Sequence, residues 1–177
     1  FALFLFLVLG CTEDTMTLDS KAADDMLFEK SVQVENSVPL KGKFTIYVDE
    51  VTHWPPPPPK QQIIKGMGTL THLGLTEVIM DQSWFPPGPP PLIPPYTGTG
   101  FGTVKFIAAN GDILLAEYDD AEALHETATL VIGTFTGHII DGGTGRFEFA
   151  SGTFDWKVIF YPAENIGYGV ITGDIAY

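Results

Sequence analysis

The chain has 177 residues, 45% of them hydrophobic, which is enough to build the core of one ordinary domain. Its formal charge of −13 argues against a nucleic-acid surface or a basic membrane-docking patch, because few cations are available to meet phosphate groups. A single cysteine excludes an intramolecular disulfide.

The N-terminal residues predict a lipid anchor. Residues 1–10 form an unbroken apolar run, too short to span a bilayer but typical of a signal-peptide core, and we interpret them as a truncated signal peptide. The four residues Val8-Leu9-Gly10-Cys11 resemble the lipobox of bacterial lipoproteins, in which the cysteine thiol carries a diacylglycerol. The alternative is a buried structural cysteine. No aspartate follows Cys11 directly, which by resemblance favours the outer membrane, and the pair Glu13-Asp14 resembles an export signal to the cell surface.

Residues 11–38 are polar and acidic, and we expect them to be a lipidated tether. The folded domain is then residues 39–177, where alternating apolar and polar residues predict about eight strands. These predicted strands span residues 43–51, 62–72, 75–84, 102–109, 112–118, 127–140, 146–161 and 168–176. The expected fold class is all-β, a closed eight-stranded antiparallel barrel, with a two-sheet sandwich as the alternative.

A glycine-rich hairpin is predicted between residues 139 and 152. The turn at 141–145 contains three glycines, which accept the positive φ angles of a tight reversal. In the returning strand, alternation predicts that Phe147 and Phe149 point to one face. The opposite face would then carry Arg146, Glu148 and Ala150.

If neighbouring strands in the sequence are also neighbours in space, alternate connections lie at the same end of the barrel. Tight turns near Gly74, at Asn110-Gly111 and at 141–145 would share one end. The other end would carry long loops, predicted at residues 52–61, 85–101, 119–126 and 162–167.

Two of the predicted long loops combine proline runs with aromatic residues. Together, segments 53–60 and 84–96 contain twelve of the 14 prolines. Such runs cannot join a sheet interior and favour an extended conformation. We predict an aromatic rim that binds a ligand or a partner there, while the alternative is that the aromatics only pack against proline rings. The candidate ligand-binding residues are Trp54, Trp84, Phe85 and Tyr96.

Polar residues near the tight-turn end are the candidates for catalysis. In a functional interpretation His72 is an acid or base and Arg146 holds a carboxylate, with Asp112 and Asp141 nearby. In the structural alternative the same side chains stabilise the turns by local hydrogen bonds and an ion pair. Sequence alone favours the structural alternative.

Two histidines, His53 and His125, fall in predicted loops, the second beside acidic residues. No recognised ligand spacing joins them, so we expect a solvated acidic loop rather than a metal site, and no cofactor. His138 alternates with Ile139 on a strand and is expected to be a surface or hydrogen-bonded core residue.

Three segments, Thr71–Gly74, Ala108–Asp112 and Gly142–Gly152, resemble in their order and spacing a family of secreted bacterial lipoproteins of unassigned function. The last segment also resembles the glycine hairpin of plant dirigent proteins and, more loosely, that of allene oxide cyclases. The resemblance covers about residues 42–177 and implies an eight-stranded barrel. In those families a barrel pocket with few polar groups steers an intermediate or an isomerisation, but only the hairpin matches here.

We therefore expect a lipid-anchored envelope barrel that is not an enzyme. Its partners would be outer-membrane lipid, through acylated Cys11, and a small apolar molecule, glycan or protein at the proline-aromatic end. One alternative is a dirigent- or cyclase-like isomerase, which a barrel interior filled with side chains would argue against. Another is a structural or adhesive surface lipoprotein that associates through aromatic patches.

Overall fold

A computed structural model describes residues 37–52, 60–88 and 92–177, which form a closed barrel of eight antiparallel strands. Each strand pairs with its neighbours in the sequence, and the first strand pairs with the last. The strands are β1 (Val38–Thr52), β2 (Lys60–Leu70), β3 (Gly74–Phe85), β4 (Tyr96–Ala108), β5 (Ile113–Thr127), β6 (Leu130–Ile140), β7 (Ser151–Tyr161) and β8 (Ile166–Ala176). The predicted barrel is confirmed, and the two-sheet alternative is wrong.

The strand order confirms that alternate connections share an end. The mouth is the end with the connections at residues 53–59, 86–95, 128–129 and 162–165. The closed end has the turns 71–73 and 109–112 and the longer connection 141–150. The long mouth loop predicted at 119–126 is wrong, because the connection there has only two residues. The loop predicted at 162–167 is present but shorter, with four residues at 162–165.

Residues 119–126 belong to β5 because a β-bulge absorbs one extra residue. Between Tyr118 and Ala121 the strand advances three residues while β4 advances two, from Gly102 to Gly100. The pairing of β5 with β6 shifts by one residue over the same stretch. A bulge of this kind exchanges the inward and outward faces of the following residues, which hides the strand from a simple alternation pattern. Inward positions therefore change from even to odd numbers along β5.

The glycine-rich connection is a closing loop rather than a tight hairpin. Its last part forms a 3-10 turn at Gly145–Phe147, and β7 begins only at Ser151. Phe147 is fully buried whereas Phe149 is 82% exposed, so the prediction that both share one face is wrong. Side chains return to the same face every two residues in a strand but about every three residues in a 3-10 turn. Phe147 and Phe149 therefore point in different directions.

Aromatic side chains fill the middle of the barrel. Phe44, Phe106, Phe154 and Trp156 are all at most 3% exposed, with ring centroids 5.5–6.0 Å apart for the pairs in contact. Their size fits because glycines on neighbouring strands leave room. A Cβ atom on Gly137, for example, would overlap the ring of Phe154. Full burial of such a ring stabilises the fold by about 1.5–3 kcal/mol.

The closed end is sealed by Phe147 and Tyr177. The ring of Tyr177 meets Phe147 edge-on at 5.3 Å and His72 at 5.7 Å. Backbone bonds fix the closing loop, because Thr144 donates to the Ile113 carbonyl and its hydroxyl accepts from the Ile113 amide. This end is therefore a packed floor.

At the mouth, a side chain completes the seam between β1 and β8. Backbone pairing of these strands ends at Ile46 and Gly167. Beyond it, Asn165 accepts from the Val48 amide at 3.0 Å and donates to the Val48 carbonyl at 2.9 Å. Within the described ranges, no helix has the length and apolar character needed to cross a membrane.

Candidate functional site

Strand register places three aromatic or imidazole side chains on the inner surface of the mouth. Val104 and Phe106 are fully buried, so even-numbered residues of β4 face inward, and Tyr96 continues that series. Trp84 pairs with Gly100 and lies on the same inner face. His125 pairs with Tyr96 beyond the β5 bulge. We call Trp84, Tyr96 and His125 the mouth cluster.

Glycines on β4 provide the surface against which Trp84 lies. A Cβ atom on Gly98 would overlap the indole ring, and one on Gly100 would lie 3.1 Å from it. The ring therefore packs flat on bare backbone, where any side chain would displace it. The glycines of β4 therefore help to set the position of the Trp84 ring inside the mouth.

The other two members of the mouth cluster form a stacked pair. The rings of Tyr96 and His125 are 4.3 Å apart with an interplanar angle of 14°. Trp84 lies 6.1 Å from His125 at 47°. All three side chains are only partly buried, so each presents part of a ring to solvent at the mouth. The result is a broad ring surface that a flat or apolar group can contact.

The environment of His125 favours the neutral imidazole. Burial lowers the pKa of its ring, and the positive charge of Lys60 at the start of β2 lowers it further. A neutral imidazole offers one donor and one acceptor nitrogen. The mouth cluster can thus combine ring contacts with a hydrogen bond in either direction.

Of the four predicted ligand-binding residues the structure describes three, and these three do not all lie on the same face of the barrel. Trp84 and Tyr96 lie on the inner face of the mouth, and sequence reasoning missed their neighbour His125 because it placed that residue in a loop. Phe85 points outward and lies 5.8 Å from the outer-surface ring of Phe101. Trp54 lies outside the described residues, as does Cys11.

Three of the four predicted catalytic residues, His72, Asp112 and Arg146, make local contacts of a structural kind. Asp112 accepts a hydrogen bond from Asn110 and lies 3.7 Å from the guanidinium of Arg146. His72 adopts a φ of 68° and its ring lies within hydrogen-bond distance of the Pro39 carbonyl, at 3.1 Å. Asp141 is exposed in the closing loop. Such contacts are the usual means of fixing a turn.

The residues considered for a metal site point in different directions. His53 lies outside the described residues, and His125 faces inward while Glu122 and Glu126 are exposed on the outside of β5. Asp119 and Asp120 are exposed at the bulge. Across the part of the chain that the structure describes, no three His, Cys, Asp or Glu side chains are grouped to hold a metal ion.

Two buried polar atoms were not singled out from the sequence. The Tyr118 hydroxyl and the Trp156 indole N–H have no hydrogen-bond partner among the described residues, although their side chains are 2% and 1% exposed. Buried polar groups usually have a partner, because an unpaired one costs about 1–3 kcal/mol. Alternation places both side chains inside but says nothing about their partners.

Comparison of the chain with protein-family models, with curated proteins and with solved structures gives no match.

Proposed function

We propose that this chain is a binding protein of the bacterial cell envelope that holds a small molecule with a flat or apolar ring at the barrel mouth. The mouth cluster is the observation that carries the proposal. Trp84, Tyr96 and His125 come from three strands and meet on one inner surface, where each ring is partly exposed. An apolar ring or the apolar face of a sugar buries such surfaces without requiring a charge.

The packed interior limits how far a ligand can enter. Below the mouth, Phe44, Phe106 and Trp156 contact one another across the barrel. A ligand therefore sits at the mouth rather than deep in the barrel. This filling argues against the dirigent- or cyclase-like alternative, which needs an interior pocket around a reacting molecule.

The proposed location of the protein in the cell envelope rests on the sequence. The lipobox-like residues 8–11 and the acidic segment after them support acylation of Cys11 and an outer-membrane location. Replacing this residue (Cys11→Ser) in bacterial cells should abolish incorporation of labelled palmitate and move the protein from the membrane to the soluble fraction. Continued labelling of the variant would contradict the anchor.

The adhesive alternative has one supporting feature, an apolar strip on the outside of β1, β2 and β8. Tyr47, Met67 and Tyr168 in this strip are 42%, 50% and 54% exposed. Self-association through it would make the oligomeric state depend on protein concentration. Sedimentation of the wild-type protein and of a Tyr168→Ser variant would reveal this dependence.

Adjacent aromatic residues offer a matched test of the mouth site. Trp84 faces inward and Phe85 faces outward, so Trp84→Ala and Phe85→Ala each remove one large ring at the same level of the barrel. With indole and methyl glucoside as probes, we expect Trp84→Ala to weaken binding about tenfold, since a stacking contact is worth about 1 kcal/mol or more.

Calorimetric titration or protein-detected NMR gives the affinities. The Phe85→Ala variant should bind both probes as the wild type does. Equal losses in the two variants would indicate a general effect on the fold. If neither probe binds the wild-type protein, or if Trp84→Ala binds as tightly, the mouth assignment is wrong.

A further inference from the structure

The interior of the barrel is not filled evenly along its length. On four strands, the next inward position toward the mouth after a buried core residue is partly exposed. These positions are Val48 after Ile46 on β1, Gln62 before Ile64 on β2, Gln82 after Met80 on β3 and Val158 after Trp156 on β7. We call the space that these four side chains line, just below the mouth cluster, the vestibule.

Small residues on the neighbouring strands leave the vestibule open. The inward positions of β4 and β5 at this level are Gly100 and Ala121, which pair with each other. On β6, a Cβ atom on Gly133 would have no atom closer than 3.9 Å apart from its chain neighbours. Farther from the mouth on the same strand, a Cβ atom on Gly137 would overlap the ring of Phe154. The interior is therefore filled beside Gly137 and open beside Gly133.

The floor of the vestibule contains a polar atom without a partner. Tyr118 stacks on Phe135 with ring centroids 4.1 Å apart, and Phe135 packs against the core while remaining partly exposed. The Tyr118 side chain is only 2% exposed, and its hydroxyl has no hydrogen-bond partner among the described residues. A buried hydroxyl without a partner is uncommon, so the site has an unused hydrogen-bonding group.

Strand pairing shows that this hydroxyl points toward the wall of the vestibule formed by Gln82. On β4, Gly102 pairs with Tyr118 on one side and with Gln82 on the other. A Cβ atom on Gly102 would lie 2.9 Å from the hydroxyl, so the Tyr118 side chain leans across β4 toward β3. The two inward side chains thus face each other across bare backbone, and no hydrogen bond joins them.

The Gln82 amide lies over the same bare strip of β4. Its Nε2 atom is 3.4 Å from the position that a Cβ atom on Gly100 would take. Gly100 and Gly102 are successive inward positions, about 6.6 Å apart along the strand. An amide N–H and a hydroxyl, both able to donate, are therefore held close together on one inner surface. A single ligand oxygen between them can accept from both.

The vestibule favours a neutral ligand group. Its four wall side chains are two valines and two glutamines, which carry no charge. Burial raises the pKa of the Tyr118 hydroxyl, and the carboxylate of Asp81 raises it further, so the hydroxyl keeps its proton and can donate it to a hydrogen bond. An ionised ligand group would lose its water here without gaining an opposite charge.

We propose that the vestibule binds the carbonyl group of a neutral aromatic ligand whose ring lies on the mouth cluster. This inference rests on the proposed function, because the mouth cluster has to hold the ring. Rotation of the partly exposed Gln82 side chain admits the carbonyl oxygen, which then accepts hydrogen bonds from the Tyr118 hydroxyl and the Gln82 amide. Val48 and Val158 contact the apolar part of the ligand below the ring.

Two nearly isosteric probes, 3-acetylindole and 3-ethylindole, test the role of the carbonyl by calorimetric titration of the full chain. Tyr118→Phe should weaken 3-acetylindole binding about three- to tenfold, since one hydrogen bond is lost, and should leave 3-ethylindole binding unchanged. The urea midpoint should not decrease, because the hydroxyl has no partner in the fold. The matched control is Tyr161→Phe, which removes an exposed hydroxyl and should leave both affinities as in the wild type.

Filling the vestibule is a second, independent test. Gly133→Leu places a side chain in the open space, whereas Thr134→Leu places the same side chain at the next, exposed position. We expect Gly133→Leu to weaken 3-acetylindole binding about threefold or more and to retain indole binding at the mouth. Thr134→Leu should leave both affinities unchanged.

The outcomes separate this inference from the mouth site on which it rests. If Tyr118→Phe affects the two probes equally, or affects neither because a water molecule occupies the floor, the vestibule assignment is wrong and the mouth site stands. Unchanged 3-acetylindole binding by Gly133→Leu would also overturn it. If the wild-type protein binds neither indole nor the two probes, the mouth assignment fails and the vestibule assignment fails with it.

Discussion

The two ends of this barrel differ in how their aromatic rings are packed. The closed end is held by a fully buried ring, Phe147, and by hydrogen bonds that join the closing loop to Ile113. The mouth instead leaves the rings of Trp84, Tyr96 and His125 partly exposed. The closed end is therefore packed shut, whereas the mouth presents accessible ring surface. Substitutions at the two ends should have separable effects.

Removal of the closing ring should have the largest effect on stability. Phe147→Ala should lower the free energy of unfolding by about 3–5 kcal/mol, because it leaves a cavity in the floor of the barrel. Urea denaturation measures this change. Phe149→Ala is the control two residues away, where the side chain is 82% exposed and we expect a change within about 0.5 kcal/mol. Similar losses in both variants would contradict the assignment of Phe147 as the floor.

A single methyl group at the mouth should perturb both stability and binding. In Gly98→Ala the new Cβ atom overlaps the indole of Trp84, and we expect a loss of about 1–3 kcal/mol together with weaker indole binding. Gly88→Ala is the control, because nothing lies within 4 Å of a Cβ atom at that position. Tighter indole binding by Gly98→Ala would show that the Trp84 ring blocks the site instead of forming it.

The acidic residues of the closed end should affect only stability. Asp112→Ala loses the contacts with Asn110 and Arg146, and we expect a cost of about 0.5–1.5 kcal/mol with unchanged indole binding. Asp141→Ala serves as the comparison at an exposed position of the same end. Loss of ligand binding in Asp112→Ala without loss of stability would revive the catalytic interpretation of this cluster.

The smallest expected effect is a pH dependence that originates at the mouth. Burial lowers the pKa of His125 below its ordinary value of 6.5, so the unfolded chain takes up a proton more readily than the folded one. Stability should therefore decrease as the pH falls through 6.5 and level off below the folded pKa. A His125→Phe variant keeps a ring but cannot titrate. The difference between the two unfolding curves should be constant above pH 7.5 and change only below it.

The number of strands and their antiparallel order could be predicted because alternation is a strong signal in this sequence. Phe44, Ile46, Phe154 and Trp156 all face the interior as their positions in the pattern require. Alternation fails where the backbone leaves the regular strand. The bulge after Tyr118 reverses the faces of β5, and the helical turn at 145–147 interrupts the path into β7.

The candidate sites were less predictable than the fold, since they depend on contacts between distant residues. Proline and aromatic composition drew attention to Trp84 and Tyr96, but their stacking partner His125 comes from a strand that the sequence pattern had interpreted as a loop. The meeting of the three mouth rings depends on the register of β3, β4 and β5. A register cannot be obtained from one strand at a time.

The pairing of β1 with β8 has a consequence for orientation at a surface. Val38 pairs with Ile175, so the polypeptide enters and leaves the barrel side by side at the closed end. If Cys11 is acylated as proposed, the lipid is attached through the chain that enters at this floor. The mouth cluster is then at the opposite end of the barrel from the residue at which the anchoring chain enters.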